Sequence, residues 1–207
     1  LFSIVKDISS FIMARIGDKK LEFVVDVAPD IPRQLMGDRI RIQQVILNLA
    51  TNAVKFTKEG CVWLSILYEK KSDREILLKV SVQDTGIGIK KEDMGKLFQF
   101  FQQVDSKRNR NIEGTGLGLA ISKQLITLMN GEIRVDSEYG KGSSFSFEIP
   151  QIVLDSAPAI EVGKAAGTAK TAGLLCENEC VRSNMDRMLK ALCVEPFCVQ
   201  SQDDFDG

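Results

Sequence analysis

The segment from Gly37 to Thr57, GDRIRIQQVILNLATNAVKFT, constrains the fold of this chain more than any other. Its apolar residues recur near the 3.6-residue period of a helix, so one face is expected to pack on a core. Asp38 is predicted to cap the N-terminus of this helix, which would be about 20 residues or roughly 30 Å long. The apolar residues of the expected core face are Ile40, Val45, Ile46, Leu49, Ala50 and Ala53.

Three polar residues interrupt this apolar pattern. Asn48, Asn52 and Lys55 are spaced at i, i+4 and i+7, so their side chains share one helical face. Two amides and an ammonium group on one stripe can hold a hydrated divalent cation through oxygen and a phosphate through charge. A solvated helix face has the same pattern, and for a helix in isolation that simpler interpretation is favoured.

The composition is that of a water-soluble globular protein with one full domain and a smaller part. The chain has 207 residues, of which 44% are hydrophobic and 27% are charged. Its 27 basic and 28 acidic residues give a net charge of -1, so no nucleic-acid partner is expected. No apolar run approaches the roughly 18 residues of a membrane span, and no signal peptide opens the sequence. A cytoplasmic location is therefore expected.

Histidine is absent from the sequence, which excludes histidine-based triads, imidazole metal sites and a phosphohistidine on this chain. The five cysteines lack close CxxC pairs and are interpreted as reduced thiols, with a zinc cluster as the less favoured alternative.

The remaining patterns predict alternating helices and strands. Pro29 and Pro32 indicate a loop after the first strand, and the domain is expected to close at Pro150. The expected helices cover residues 1–16, 37–57 and 114–129, and the expected strands cover residues 21–27, 61–68, 75–83, 131–136 and 142–149.

Two glycine-containing motifs follow predicted strands or open predicted helices. Asp84 comes just past a strand and precedes Gly86 and Gly88, an arrangement that can grip one edge of a base, although DTG also occurs in ordinary turns. The run 114–119, GTGLGL, opens a helix whose N–H groups and positive dipole end suit an anion, but such a motif alone is weak. Between them, the charged residues 104–113 suggest either a lid ordered by ligand or a surface loop.

In order and spacing, these motifs resemble the ATP-binding catalytic domain of sensor histidine kinases, over roughly residues 1–150. The boxes that carry the resemblance are NLATNAVKFT, DTGIGI, QFFQQVD, GTGLGLAISKQL and GKGSSFSFEIP. The resemblance implies an α/β two-layer sandwich of the Bergerat type, in which a mixed sheet of about five strands is covered on one face by helices. It also implies ATP and Mg²⁺ as cofactors.

Roles for individual residues follow from the same resemblance. Asn52 would bind Mg²⁺, Asn48 would bind it through water, Lys55 would contact phosphate, and Arg110 would reach the phosphates from the lid. Asp84 would accept a hydrogen bond from the adenine amine. The other residues implied at the nucleotide site are Gly86 and Gly88 beneath the base, Phe98 in the Phe-rich box, Gly114, Gly116, Leu117, Gly118 and Leu119 in the phosphate loop, and Ser144, which would share a water with Asp84.

The function implied is transfer of the γ-phosphoryl group of ATP to a histidine on a separate dimerisation domain. Both domains would belong to a longer parent protein, which is expected to be a homodimer. A receiver domain or response regulator would then be a partner. The expected location is the cytoplasm, with the cytosolic part of a membrane-bound sensor as the alternative. Related ATPases place glutamate at the position of Asn48, and an amide cannot activate water, so a kinase is favoured. Glu113 and Ile112 depart from the family pattern and leave open a catalytically weak nucleotide sensor that signals by lid ordering.

The sequence after Pro150 changes character. Residues 151–171 are rich in alanine and glycine and are predicted to form a linker. A strand, a helix and a second strand expected within residues 172–207 resemble the start of a receiver domain. Only one acid remains at the Glu177-Asn178 position, so this segment is interpreted as a truncated and degenerate receiver, with a generic docking module as the alternative.

Overall fold

The computed structural model describes residues 1–99, 116–159, 170–174, 176, 179–191 and 194–198. Its helices are α1 (Phe2–Ile16), α2 (Arg39–Phe56), α3 (Lys91–Met94), α4 (Gly118–Leu128) and α5 (Glu179–Ala191). Its strands are β1 (Leu21–Val27), β2 (Pro32–Met36), β3 (Gly60–Lys70), β4 (Glu75–Asp84), β5 (Glu132–Glu138), β6 (Gly142–Pro158), β7 (Lys170–Leu174) and β8 (Val194–Cys198).

Six strands form one mixed sheet, which confirms the predicted α/β sandwich. The order is β1-β3-β4-β6-β2, and β5 pairs with the first half of β6. Strands β1 and β3 are parallel, whereas the other neighbours are antiparallel. Asp38 caps α2 as predicted, because its carboxylate accepts the Arg41 N–H.

The core lies between this sheet and the layer formed by α1, α2 and α4. The prediction that Ile40 packs in this core is wrong, since Ile40 is 77% exposed. Ile42 is buried instead, and two residues of a helix turn the side chain by about 200°, so only one of these isoleucines can face the sheet. The buried residues of α2 are Ile42, Val45, Ile46, Leu49, Ala50, Ala53 and Val54.

The predicted loop at Pro32 and the predicted end of the last strand at residue 149 are both wrong. Strand β6 runs on to Pro158, and its second half pairs with β2. Pro150 lies opposite Leu77 of β4. On its other side, β6 pairs with β5 up to Glu148 and with β2 from Ile152 onwards, so Pro150 lies between these two partners. Proline lacks an N–H, so it is tolerated where a strand edge has no partner. The segment predicted as a linker from residue 151 is therefore strand up to residue 158.

The C-terminal part contains the predicted β-α-β order. Strands β7 and β8 are parallel neighbours, and α5 lies between them in sequence. The first of these strands begins at Lys170, inside the segment predicted as a linker. The Glu177-Asn178 position lies outside the described residues.

Within the described ranges, none of the helices is both long enough and apolar enough to cross a membrane.

Candidate nucleotide-binding site

Asp84 ends β4 with its side chain on the face that the helices cover. It is in register with Ser143 of β6 and is only 6% exposed. The Gly86 N–H donates to Asp84 Oδ1 at 2.8 Å, and the backbone N–H of Ser143 donates to the same carboxylate. Burial raises the pKa of the Asp84 carboxyl, and the two N–H groups offset this only in part. The site therefore holds a desolvated carboxylate at the end of a central strand.

The turn after Asp84 packs directly on the last turn of α2. The Ile87 N–H donates to the Phe56 carbonyl oxygen at 3.3 Å. A methyl group at Gly86 would lie 2.5 Å from that same oxygen and 2.7 Å from Asp84 Oδ1, so only glycine fits there. Gly88 has a φ of 66°, in the left-handed region that favours glycine. Both glycines predicted beneath the base are thus required by the path of the backbone.

The asparagine stripe of α2 meets the beginning of α4. Asn48, Asn52 and Lys55 are all half-buried. Asn48 Nδ2 donates to Ser122 Oγ at 2.9 Å, and Ser122 is 2% exposed. A methyl group at Gly118 would lie 2.3 Å from Asn48 Oδ1. The glycine-containing start of α4 therefore packs against the asparagine stripe.

Helix α2 joins the two halves of the site. Its last residue, Phe56, contacts the turn after Asp84, whereas Asn48, eight residues earlier, contacts the start of α4. Asn52 lies midway between them, and the separation along the helix axis is roughly 12 Å. An elongated ligand lying along α2 would therefore meet the Asp84 carboxylate at one end and the two asparagines at the other.

The prediction that Ser144 assists Asp84 is contradicted by the strand register. Ser143 pairs with Asp84, and Ser144 pairs with Gln83. Successive side chains of a strand point to opposite faces, so Ser144 belongs to the outer face of the sheet. Ser143 takes the inner position, with its Oγ 3.0 Å from Ser137 Oγ. Counting the alternation back from the buried Phe145 would have identified Ser143.

Phe98 lies against the hydrophobic core and is half-buried. The ammonium group of Lys123 on α4 lies 5.5 Å from the centroid of its ring. Phe98 thus borders α4, next to the phosphate loop.

The other described residues of the predicted phosphate loop lie at the start of α4. Gly116 precedes α4 with a φ of 70°, and Leu117 and Leu119 are half-buried beside Gly118. Arg110 and Gly114 lie outside the described residues, as does the predicted lid of residues 104–113.

Sequence reasoning missed Ser122 and Thr57. Ser122 lies four residues after Gly118 and so on the same face of α4, where a polar residue in an apolar run was the available signal. Thr57 is fully buried, and its hydroxyl donates to the Ala53 carbonyl oxygen at 2.8 Å. It closes α2 directly beneath Gly86, since a methyl group there would lie 2.9 Å from Thr57 Oγ1.

Comparison with known proteins agrees with this geometry. The sequence profile of the family described as "Histidine kinase-, DNA gyrase B-, and HSP90-like ATPase" matches residues 37–152. "Hybrid signal transduction histidine kinase B" of Dictyostelium discoideum is 41% identical over 72% of this chain, and "Sensor protein GacS" of Pseudomonas syringae pv. syringae is 44% identical over 70%. The chain spans only 8% and 16% of the lengths of these relatives.

A solved structure shares the fold over nearly the whole chain. The protein in "Crystal structure of ShkA full-length in complex with AMPPNP" is 27% identical, with a TM-score of 0.77 over 99% of this chain and 41% of that one. The family profile covers more than half of the sequence and includes both the asparagine stripe and Asp84. The chain thus belongs to the histidine kinase-, DNA gyrase B- and HSP90-like ATPase family.

Proposed function

We propose that this chain binds Mg-ATP and transfers the γ-phosphoryl group to a histidine on a separate phosphoacceptor domain. The observation that carries the proposal is the contact between Asn48, Ser122 and Gly118, which brings the asparagine stripe against a helix N-terminus. A helix N-terminus favours anions, and the stripe offers amide oxygens to a cation. Phosphate and metal would therefore meet at the same place.

Adenine recognition is proposed for Asp84. One oxygen of its buried carboxylate accepts the Gly86 N–H, and the carboxylate retains further acceptor capacity. The exocyclic amine of adenine is a donor that suits it. A buried acceptor left without a donor is costly, so a purine that lacks this amine is expected to bind less well.

The residues present fit a magnesium ion. Asn48 donates through Nδ2 to Ser122, so its Oδ1 is the atom left to face the start of α4. Asn52, one helical turn later, offers a second amide oxygen. Mg²⁺ in phosphoryl-transfer sites uses one or two protein oxygens together with waters and substrate phosphates, and it neutralises charge that develops on them. Asn48, Asn52 and the Lys55 ammonium would hold the metal and the phosphates on one face of α2.

The chemistry of Asn48 favours transfer to a good nucleophile over hydrolysis. An amide has no useful proton affinity at neutral pH, so Asn48 cannot act as the base that activates water. An imidazole is already nucleophilic and needs positioning and charge neutralisation more than a base. The first partner proposed is therefore a helical hairpin that carries the histidine and belongs to the same parent protein. That parent would be a homodimer, either cytoplasmic or anchored in a membrane. The second partner proposed is a receiver domain or response regulator.

Phosphotransfer is tested by incubating the chain with a histidine-bearing dimerisation hairpin and γ-labelled ATP. We expect acid-labile label on the hairpin histidine, dependent on Mg²⁺ and lost in Asn52→Ala. A hairpin with that histidine replaced by alanine is the control. Nucleotide binding without label on the hairpin would identify a nucleotide sensor instead, and no nucleotide binding at all would refute the ATP site.

Replacing Ser122 by alanine is expected to lower the Mg²⁺-dependent affinity for ATP by roughly two- to tenfold, because Asn48 loses the acceptor that orients its amide. The measurement is an ATP titration over a series of Mg²⁺ concentrations. Thr127→Ala is a matched control, since it removes an exposed hydroxyl of the same helix that donates to the Lys123 carbonyl oxygen. A Mg²⁺ dependence in Ser122→Ala equal to that of Thr127→Ala would contradict the role assigned to Ser122.

A further inference from the structure

The outer face of the sheet is covered at β1. Leu21 and Val27 face the core beneath the helices, so the even-numbered Val24 and Asp26 face the opposite side. They are nevertheless only 7% and 8% exposed. Helix α5 contacts β1, and β1 is the edge strand of the sheet. The C-terminal unit, defined here as β7, α5 and β8, therefore rests on a surface that none of α1, α2 and α4 occupies.

An ion pair joins this unit to the sheet. Arg187 of α5 places Nη2 2.7 Å from Asp26 Oδ2. The Asp26 side chain is 11% exposed, whereas that of Arg187 is 59% exposed. A carboxylate so far removed from water is strongly disfavoured once its cationic partner is taken away. Asp26 thus makes the outer face of β1 selective for a surface that brings a cationic group.

A second residue on this face of α5 is a buried amide without a hydrogen-bond partner among the described residues. Asn184 lies one helical turn before Arg187, on the same face of the helix. It is 7% exposed, and within the described part of the chain its Nδ2 atom has no hydrogen-bond partner. A buried amide that loses water without gaining a partner opposes burial. Docking of α5 is therefore favoured by the Asp26–Arg187 ion pair and opposed by burial of the unpaired Asn184 amide.

We propose that the outer face of β1 is a reversible docking surface for the C-terminal unit, locked by the Asp26–Arg187 ion pair and kept releasable by Asn184. The occupant is this chain's own segment, and the opposite charges of Asp26 and Arg187 identify it. This proposal is independent of the nucleotide site.

Trp63 is a built-in probe of docking, because it is the one tryptophan of the chain. It pairs in register with Val24 and so shares the outer face. In the full chain, Arg187→Glu is expected to shift Trp63 emission to longer wavelength, to increase its quenching by acrylamide and to enlarge the radius of gyration in small-angle scattering. The variant Arg187→Lys keeps the charge and is expected to stay near wild type.

The matched control is Arg39→Glu, which breaks an exposed 3.0 Å ion pair with Asp7 between α1 and α2, on the other side of the sheet. It is expected to leave Trp63 emission and the radius of gyration unchanged. Wild-type values in Arg187→Glu for both measurements would overturn the proposal, as would an Arg39→Glu change of equal size.

Asn184→Leu provides a test of opposite sign. Salt screens the Asp26–Arg187 ion pair, so added salt is expected to release the C-terminal unit and expose Trp63. Leucine has a similar size to asparagine and no unpaired amide, so Asn184→Leu is expected to raise the salt concentration at which this release occurs. A release at the wild-type salt concentration or below it would refute the role given to Asn184.

Discussion

Asp84→Asn is expected to weaken ATP binding roughly five- to 150-fold, because the adenine amine loses its acceptor and meets an amide N–H₂ group instead. Asparagine has nearly the shape of aspartate, and its Oδ1 can still accept the Gly86 N–H that Asp84 accepts at 2.8 Å. The turn is therefore expected to survive. Calorimetric titration with ATP and Mg²⁺ measures the loss directly, and the ATP-induced rise in melting temperature provides a second measure of binding.

The same substitution is expected to stabilise the protein in the absence of nucleotide. Burial raises the pKa of the Asp84 carboxyl, so ionising it costs more in the folded protein than in the unfolded chain. Wild-type stability is therefore reduced as pH rises from the unfolded pKa to the folded pKa, and the reduction persists above it. Asp84→Asn carries no such charge, so its stability advantage over wild type should grow through that window and then level off.

Denaturant unfolding of the wild type and Asp84→Asn at a series of pH values tests whether the stability advantage of the variant grows as pH rises. Gln83→Asn serves as a control, since Gln83 is the exposed neighbour of Asp84 on the outer face. Unchanged ATP affinity in Asp84→Asn would remove the adenine-binding role. A lower free energy of unfolding of Asp84→Asn at neutral pH would show instead that the Asp84 carboxylate stabilises the fold.

Local patterns in the sequence predicted the parts of the site that lie within one element. The asparagine stripe follows from helical spacing alone, and the glycine turn follows from a carboxylate at the end of a strand. Such features depend on residues that are close in sequence. The structure brings these pieces together because the last turn of α2 meets the turn after β4.

Features that depend on pairing between distant segments could not be read in the same way. The choice between Ser143 and Ser144 needs the register of β6 against β4, and a slip of one residue exchanges the two faces. Strand β2 exists because β6 continues beyond Pro150 and offers it an edge. Likewise, nothing near Asp26 in the sequence indicates Arg187, which is 161 positions later (187 − 26 = 161).

Gly118→Ala is expected to reduce phosphotransfer roughly 100-fold, the loss that a displacement of about 1 Å in a positioned group can cause. A methyl group at this residue would lie 2.3 Å from Asn48 Oδ1, a distance at which the two groups cannot coexist. The cheapest relief is for the Asn48 amide to turn away, which breaks its hydrogen bond to Ser122. The metal-binding oxygen would then leave the start of α4.

Stability distinguishes this loss from simple unfolding. Gly118 is the first residue of α4 and has no positive φ, and alanine is favoured over glycine in helices, so the fold is expected to lose little. Gly95→Ala is the matched control, because a methyl group there meets no atom of another described residue within 4 Å. Gly118 touches the asparagine stripe and Gly95 does not, so normal transfer in Gly118→Ala would show that the position of Asn48 does not limit the reaction. A large fall in melting temperature would instead place the clash in the backbone packing of α2 against α4.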